Sequence, residues 1–422
     1  MIFLIYQLIL ILIIILSPLI IIYRLFKKKE HHKRFFEKFS IISKIRGSGN
    51  LVWFHASSVG EVLSIIPLIE KLENNNSISK ILITSSTLSS SHIFEKLKLR
   101  KTIHQFFPID NFYFIKKFLK HWKPSLAVFV ESEIWPTVFY ELEKKTIPLI
   151  LLNARITKKT FKRWFKIRFF SSNIFNKIKI AYPQNSETIY YLKKLNVKKV
   201  KFIGNLKFSE SKLDRKIVIQ KTFENQFKKR LIWCASSTHA NEELECAKTH
   251  KKLREKVKNL ITIIIPRHIH RKDEILDQIN SLKLKVVCHS SNKKIDSSTD
   301  IYLVDTYGET KKFYKISNIV FLGGSLIKHG GQNPIEPARL GKSIIHGPYV
   351  ENFREVYNLL GSKNISFKAK NSKELQKLIR KQVTKSKNDS KKFRQIKIIG
   401  NSILDKTVKE INNLLKNEIY KT

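Results

Sequence analysis

The chain has 422 residues, long for one core and suited to two domains of ordinary size, and its 42% hydrophobic content supports well-filled cores. A formal charge of +46 admits three readings: nucleic acid, an anionic membrane surface, or compositional drift toward Ile, Lys and Asn. The lysines are dispersed and no zinc-finger, basic-zipper or RNP-like motif occurs, so no nucleic-acid partner is expected.

Residues 1–23 carry no charge and read as a transmembrane anchor, at about the 20 residues a bilayer needs. A basic juxtamembrane segment follows over 24–50, with Arg24, Lys27, Lys28, Lys29, Lys33 and Arg34 at its start. Positive charge after the apolar run, and no small-residue cleavage site, argue against a cleaved signal peptide. The positive-inside rule then places the body on the cytoplasmic side. A half-inserted monotopic anchor kinked at Pro18 is the alternative. Phe35, Phe36, Phe39, Ile41 and Ile42 read as residues that dip into the interface, or as an ordinary helix face.

From residue 51 short apolar runs alternate with amphipathic ones, the βαβ rhythm of a parallel sheet. Strands are expected at Leu51–His55, Ile81–Ser85, Leu126–Val130, Pro148–Leu152, Ile178–Tyr182 and Val200–Ile203, closing an N-terminal domain over 51–208. Residues 209–228 read as a linker. A C-terminal domain over 229–422 repeats the rhythm, with strands at Leu231–Ala235, Leu260–Ile265, Leu284–Cys288, Ile301–Val304, Ile319–Leu322 and Ser343–His346, and ends in a Lys-rich helix. The fold class is α/β: two Rossmann-like domains facing a central cleft, with ligands expected at strand C-terminal edges. Cys234, Cys246 and Cys288 show no CxxC spacing and argue against a disulfide framework.

The motifs sit where strands end. WFHASSVGE carries Glu61 into a helix start, where it reads as a general base for an acceptor hydroxyl or as a capping carboxylate. A helix N-terminus lowers its basicity, and burial raises it. In ESEIWP, Glu131 and Glu133 straddle a strand end, one for the cleft and one for the next helix. Arg155 in NARIT suits an anion. Lys207 in GNLKF neutralises an anion, or is one of many surface lysines. Beyond the linker, SSTHANEE has capping-box character through Glu242. Arg267 and His268 follow a strand, and so does the Asp305–Thr310 stretch. The loop GGSLIKHGGQNPIEPA follows another, its N–H groups suited to a phosphate and Glu336 to sugar hydroxyls. Asn333 reads as a helix cap with Pro334 in the first turn. His268-Ile269-His270 is weak evidence for a metal, and no Asp-x-Asp occurs.

These blocks, in this order from about Trp53 to Phe353, resemble the Kdo (3-deoxy-D-manno-octulosonic acid) transferases of lipopolysaccharide biosynthesis. The blocks are FHASSVGE, ESEIWP, NARIT, GNLKF, ASSTHANEE, PRH, the glycine-rich loop and GPYVENF. The resemblance implies a GT-B, inverting, metal-independent glycosyltransferase that needs no cofactor. Its donor would be CMP-Kdo and its acceptor lipid IVA, at the cytoplasmic face of a bacterial inner membrane with anionic lipids. It also implies Glu61 as proton acceptor, with Glu131 and Lys207 as transition-state stabilisers. CMP would contact Arg267, His268, Gly308, Glu309, Thr310, Asn333, Pro334, Ile335 and Glu336. Gln332 and Tyr349 stand where many members carry His.

Overall fold

The computed structural model describes residues 2–97, 99–212, 219–384 and 390–419. Contacts divide the chain into two units, Met1–Ser211 with Asn401–Thr422, and Lys212–Gly400. Each is built on one sheet in which every paired strand is parallel.

The first sheet has six strands in the order β3-β2-β1-β4-β5-β6. They are β1 Leu51–His55, β2 Lys80–Ser85, β3 Thr102–Phe106, β4 Leu126–Val130, β5 Leu149–Ala154 and β6 Ile180–Pro183. β1 and β4 are wholly buried, as central strands covered by helices on both faces must be. The sequence pattern misses β3, an edge strand reading TIHQF that lacks an apolar run. The expected strand at Val200–Ile203 reduces to an isolated bridge between Ala181 and Val200.

The second sheet has seven strands in the order β13-β12-β11-β7-β8-β10-β9. They are β7 Leu231–Thr238, β8 Leu260–Pro266, β9 Val286–Cys288, β10 Ile301–Leu303, β11 Ile319–Leu322, β12 Ser343–His346 and β13 Ser366–Lys368. β13 is the other unexpected strand, a three-residue edge too short to carry a period. Cys234 and Cys246 are buried thiols and Cys288 is partly buried.

Two expected boundaries are corrected. The linker reading of 209–228 lies partly outside the described residues, but its end is structured: Lys221–Gln226 is helical, and Phe223 and Phe227 pack on Tyr302 of β10. The C-terminal helix Ser390–Ile419 does not belong wholly to the second domain. From Asn401 it packs on the first unit, burying Ile403, Thr407, Ile411 and Leu414 at 3–4 residue spacing. Glu410 accepts from Tyr182 Oη at 2.9 Å, and Asn412 Oδ1 from Asn75 at 2.6 Å.

One glycine locks this helix to a motif. Gly204 has φ +120°, and a Cβ there would lie 2.7 Å from Ile403 Cδ1. Gly204→Ala should destabilise the protein by about 1–3 kcal/mol through backbone strain and overpacking. Chemical denaturation checks it, and an unchanged unfolding midpoint would refute the clamp.

Candidate active site

Parallel strands all end on one edge of their sheet, so the loops that follow them gather there. In the first unit β1 and β4 are neighbours. The helix that starts after β1 carries Glu61 in its first turn, and the loop after β4 carries Glu131 and Glu133.

Glu61 caps its helix, as its sequence allows. The helix Val59–Leu72 starts at Ser58, whose Oγ accepts from Glu61 N. The Glu61 carboxylate in turn accepts from Ser57 N at 2.8 Å and Ser58 Oγ at 3.0 Å. That is a reciprocal cap, and it favours the ionised form. Burial, followed by the negative charge of Glu133, outweighs it and raises the Glu61 pKa from 4.5 to about 7, with Glu131 adding to the rise. Glu61 is only half-buried, so its carboxyl remains within reach of a ligand. A carboxyl that titrates near neutrality can take up and give back a proton at little cost.

Glu131 and Glu133 diverge, as a strand end requires. Glu133 Oε2 sits 3.1 Å from Nε2 of buried His55 and accepts from Trp135 Nε1 at 2.9 Å. His55 lies on β1, with its ring 3.8 Å from that of Phe107 and its Nδ1 3.0 Å from Thr84 Oγ1. Glu131 turns the other way and pairs with Lys207 Nζ at 2.5 Å. It does so from left-handed backbone, φ +57°, an uncommon conformation for a glutamate. Lys207 is itself positioned. Asn205 Oδ1 accepts from its N–H at 2.9 Å, and Oδ1 of buried Asn153 accepts from Leu206 N at 3.1 Å. The lysine is therefore a placed cation. Sequence reasoning missed His55 and Asn153. The only signals were a histidine inside an apolar strand and an asparagine at a strand end.

In the second unit β11, β7, β8 and β10 lie side by side. Their C-terminal loops hold the sequence-predicted residues together on one edge. Arg267 and His268 follow β8, both exposed. Gly308 (φ +87°), Glu309 and Thr310 open the helix Thr310–Ile316, with Glu309 paired to Lys312 at 2.6 Å. Asn333 Oδ1 accepts from Ile335 N at 3.1 Å, and the helix Ile335–Arg339 starts one residue later than expected, after Pro334. Glu336 lies 3.4 Å from Lys311 Nζ.

The glycine-rich loop differs from its sequence reading. Glu242, almost fully buried, accepts from Gly324 N (2.6 Å), Ser325 N (3.1 Å), Leu326 N (3.0 Å) and His239 N (3.1 Å). Three loop N–H groups that suit a phosphate are thus occupied by the protein's own carboxylate. Gly323 permits that approach, since a Cβ there would stand 2.6 Å from Ser237 O and 2.8 Å from Glu242 Oε2. The groups left for an anion on this edge are side chains. Arg267 and His268 have His239 and His329 beside them, the His239 ring 5.8 Å from His268 and 4.1 Å from His329. Burial, and then neighbouring His329, lower the His239 pKa to about 4, so it is neutral at pH 7. The sequence shows Glu242 only as half of a capping box.

Residues 33–210 match the family described as 3-Deoxy-D-manno-octulosonic-acid transferase (kdotransferase). A 3-deoxy-D-manno-octulosonic acid transferase of Rickettsia felis is 33% identical over 326 residues, 77% of this chain and 70% of that protein. The chain belongs to the Kdo transferase family, glycosyltransferases of lipopolysaccharide biosynthesis. A second relative, from Haemophilus influenzae, is 32% identical over 319 residues and 73% of each chain. The solved UDP-GlcNAc 2-epimerase from Neisseria meningitidis, bound to UDP-GlcNAc, aligns with a TM-score of 0.58 over 88% of this chain and 100% of that one. At 12% identity that likeness shows the two-sheet GT-B fold alone.

Within this Kdo transferase, Glu242→Ala would leave four N–H groups without their acceptor. Each unmade bond costs about 1–3 kcal/mol, partly recovered by water. We expect at least about 2 kcal/mol of lost stability, with amide exchange accelerated at Gly324, Ser325 and Leu326. Unchanged exchange at those three amides would refute the anchoring role.

Proposed function

We propose that this chain moves Kdo from CMP-Kdo onto lipid IVA with inversion, using Glu61 as general base. The observation that carries the reading is the Glu61 carboxyl, capped yet lifted to a pKa of about 7 beside Glu133 and Glu131. The acceptor hydroxyl oxygen attacks C2 of Kdo while its proton passes to Glu61. The bond from C2 to the phosphate oxygen breaks, and CMP leaves with the electron pair. The Lys207–Glu131 pair supplies a fixed cation and a fixed anion. The cation suits the Kdo carboxylate, and the anion suits positive charge developing at C2.

The second unit holds the donor. Arg267 neutralises the CMP phosphate and His268 hydrogen-bonds to it, without a metal. Gly308 to Thr310 and Asn333 to Glu336 seat the nucleoside, with Glu336 exchanging Lys311 for ribose hydroxyls. A lipid acceptor and the dense positive charge support a reading in which the work is done at the cytoplasmic face of the inner membrane, against anionic lipids.

Detergent-solubilised protein given lipid IVA and CMP-Kdo should yield lipid heavier by one or more Kdo increments on mass spectrometry. Glu61→Gln should slow transfer by about 10²–10⁴-fold while CMP affinity is kept. Product at the wild-type rate from Glu61→Gln would refute the base. Its absence from the wild type with CMP still bound would refute the acceptor assignment.

A further inference from the structure

The helix Ile2–Phe26 is long and apolar enough to cross a membrane. Its contacts are those of a different arrangement. At about 1.5 Å per residue it is some 36 Å long, and it is held to the first unit near both ends. Close to its start, Tyr6 Oη donates to Asp110 at 2.6 Å and Gln7 Nε2 to Thr137 Oγ1 at 2.6 Å. Phe3 packs edge-on against Phe112, with ring centroids 5.4 Å apart. Buried Asp110 also accepts from Thr137 N and Val138 N, at 3.0 and 2.9 Å, so the tyrosine joins a carboxylate already bound into the unit. At the other end Arg24 pairs with Glu30 at 3.0 Å, and Glu30 with Lys38 at 2.6 Å. Lys38 O then accepts from Ile109 N at 2.9 Å.

Between these ends the inward positions Gln7, Leu10, Ser17 and Ile21 are buried. Leu4, Leu8, Ile15, Leu19, Ile22 and Phe26 face outward, each half or more exposed. Pro18 cannot donate to Ile14 O, and Ser17 Oγ does so instead at 2.6 Å, so the helix runs through the proline.

A helix that spans a bilayer projects from the domain that follows it, and a hydrocarbon layer of about 30 Å separates that domain from the far end. Tyr6 and Gln7 would then sit in the far leaflet, out of reach of Asp110 and Thr137. Charge gives a second, independent argument. Arg24, Lys27, Lys28 and Lys29 flank the helix end. Near its start, Ile2, Ile5 and Ile9 share an apolar pocket of about 480 Å³ with Trp164, Ile167 and Phe170. Trp164 belongs to the helix Lys158–Lys166, which exposes Lys158, Lys159, Lys162, Arg163 and Lys166. Both ends of the apolar helix therefore have cations beside them on one and the same unit. Anionic headgroups of a single leaflet satisfy both clusters, whereas a spanning helix has cations favoured at one end only.

We infer that Ile2–Phe26 lies in the plane of one leaflet, docked along the first unit through Tyr6 and Gln7, with its outward stripe in the acyl layer and basic clusters at both ends on anionic headgroups. On this inference the helix takes the monotopic course that the sequence offered as an alternative to a single pass, and it stays helical through Pro18. The contact surface for lipid thus runs the full length of the helix and is continuous with the unit that carries Glu61.

Depth measurements test this without relying on transfer activity. Leu4→Cys, Ile15→Cys and Phe26→Cys sit on the outward stripe, and each is made in a Cys288→Ser background because the other two thiols are buried. The full chain is spin-labelled and bound to vesicles of phosphatidylethanolamine and phosphatidylglycerol. An in-plane helix gives one shallow depth at all three positions, from the balance of lipid-borne oxygen and aqueous nickel collisions. Unlabelled Leu4→Cys should also react with an impermeant maleimide only from the side on which exposed Ile45→Cys reacts. A depth maximum at Ile15, or Leu4→Cys reacting only once the vesicles are permeabilised, would overturn the inference in favour of a spanning helix.

Discussion

Buried carboxylates that accept backbone N–H groups hold this protein's turns in place. The chain has 34 acidic residues against 80 lysines and arginines, so carboxylates are scarce. Several sit where strands or helices leave donors open. Glu242 gathers the glycine-rich loop and the turn after β7. Asp110 caps the helix Pro136–Lys144 through Thr137 N and Val138 N. Glu37 accepts from Phe106 N at the end of β3, and Glu73 from Arg100 N and Lys101 N before it. A helix start offers unpaired N–H groups, and a carboxylate answers several at once with charge-assisted bonds. With these positions held, the surface is free to carry an excess of cations.

Glu61 follows the same rule with a different outcome. Glu242 and Asp110 are almost fully buried and occupied by three or more donors, so their chemistry is structural. Glu61 has fewer donors, partial exposure and two acidic neighbours across the sheet edge. Desolvation, and then like charge, work against the cap, and a pKa of about 7 results. Glu133 can stay that close because His55 and Trp135 hold it, and Glu131 because Lys207 does. The two glutamates of ESEIWP thus have separate supports and a shared effect on Glu61.

Much of the fold was legible because parallel strands covered on both faces are short unbroken apolar runs, as at Leu126–Val130 and Ile319–Leu322. The edges were not. TIHQF lacks an apolar run and Ser366–Lys368 is too brief, so no pattern marks them. At the site, spacing brought Glu61 and Glu131 to adjoining strand ends, but it could not say that Glu131 and Lys207 pair, because that depends on a left-handed residue and on Asn153 reaching across to Leu206. Glu242 was legible as a cap and illegible as the loop's anchor, since its three loop partners lie about eighty residues away. The course of the N-terminal helix was hidden for a similar reason. Hydropathy measures whether a segment tolerates lipid, while the bond from Tyr6 to Asp110 spans 104 residues of sequence.

The central claim is that Glu61 works as a base because burial, and then its acidic neighbours, raise its pKa. Single-turnover transfer measured against pH, in the wild type and in Glu133→Gln, tests it directly. Below the pKa the carboxyl carries a proton and cannot accept another, so the wild-type rate should rise with pH and level off above about 7. Removing the Glu133 charge should move that rise to lower pH. A rate flat from pH 5 to 8 in the wild type, or an unmoved limb in Glu133→Gln, would contradict the account.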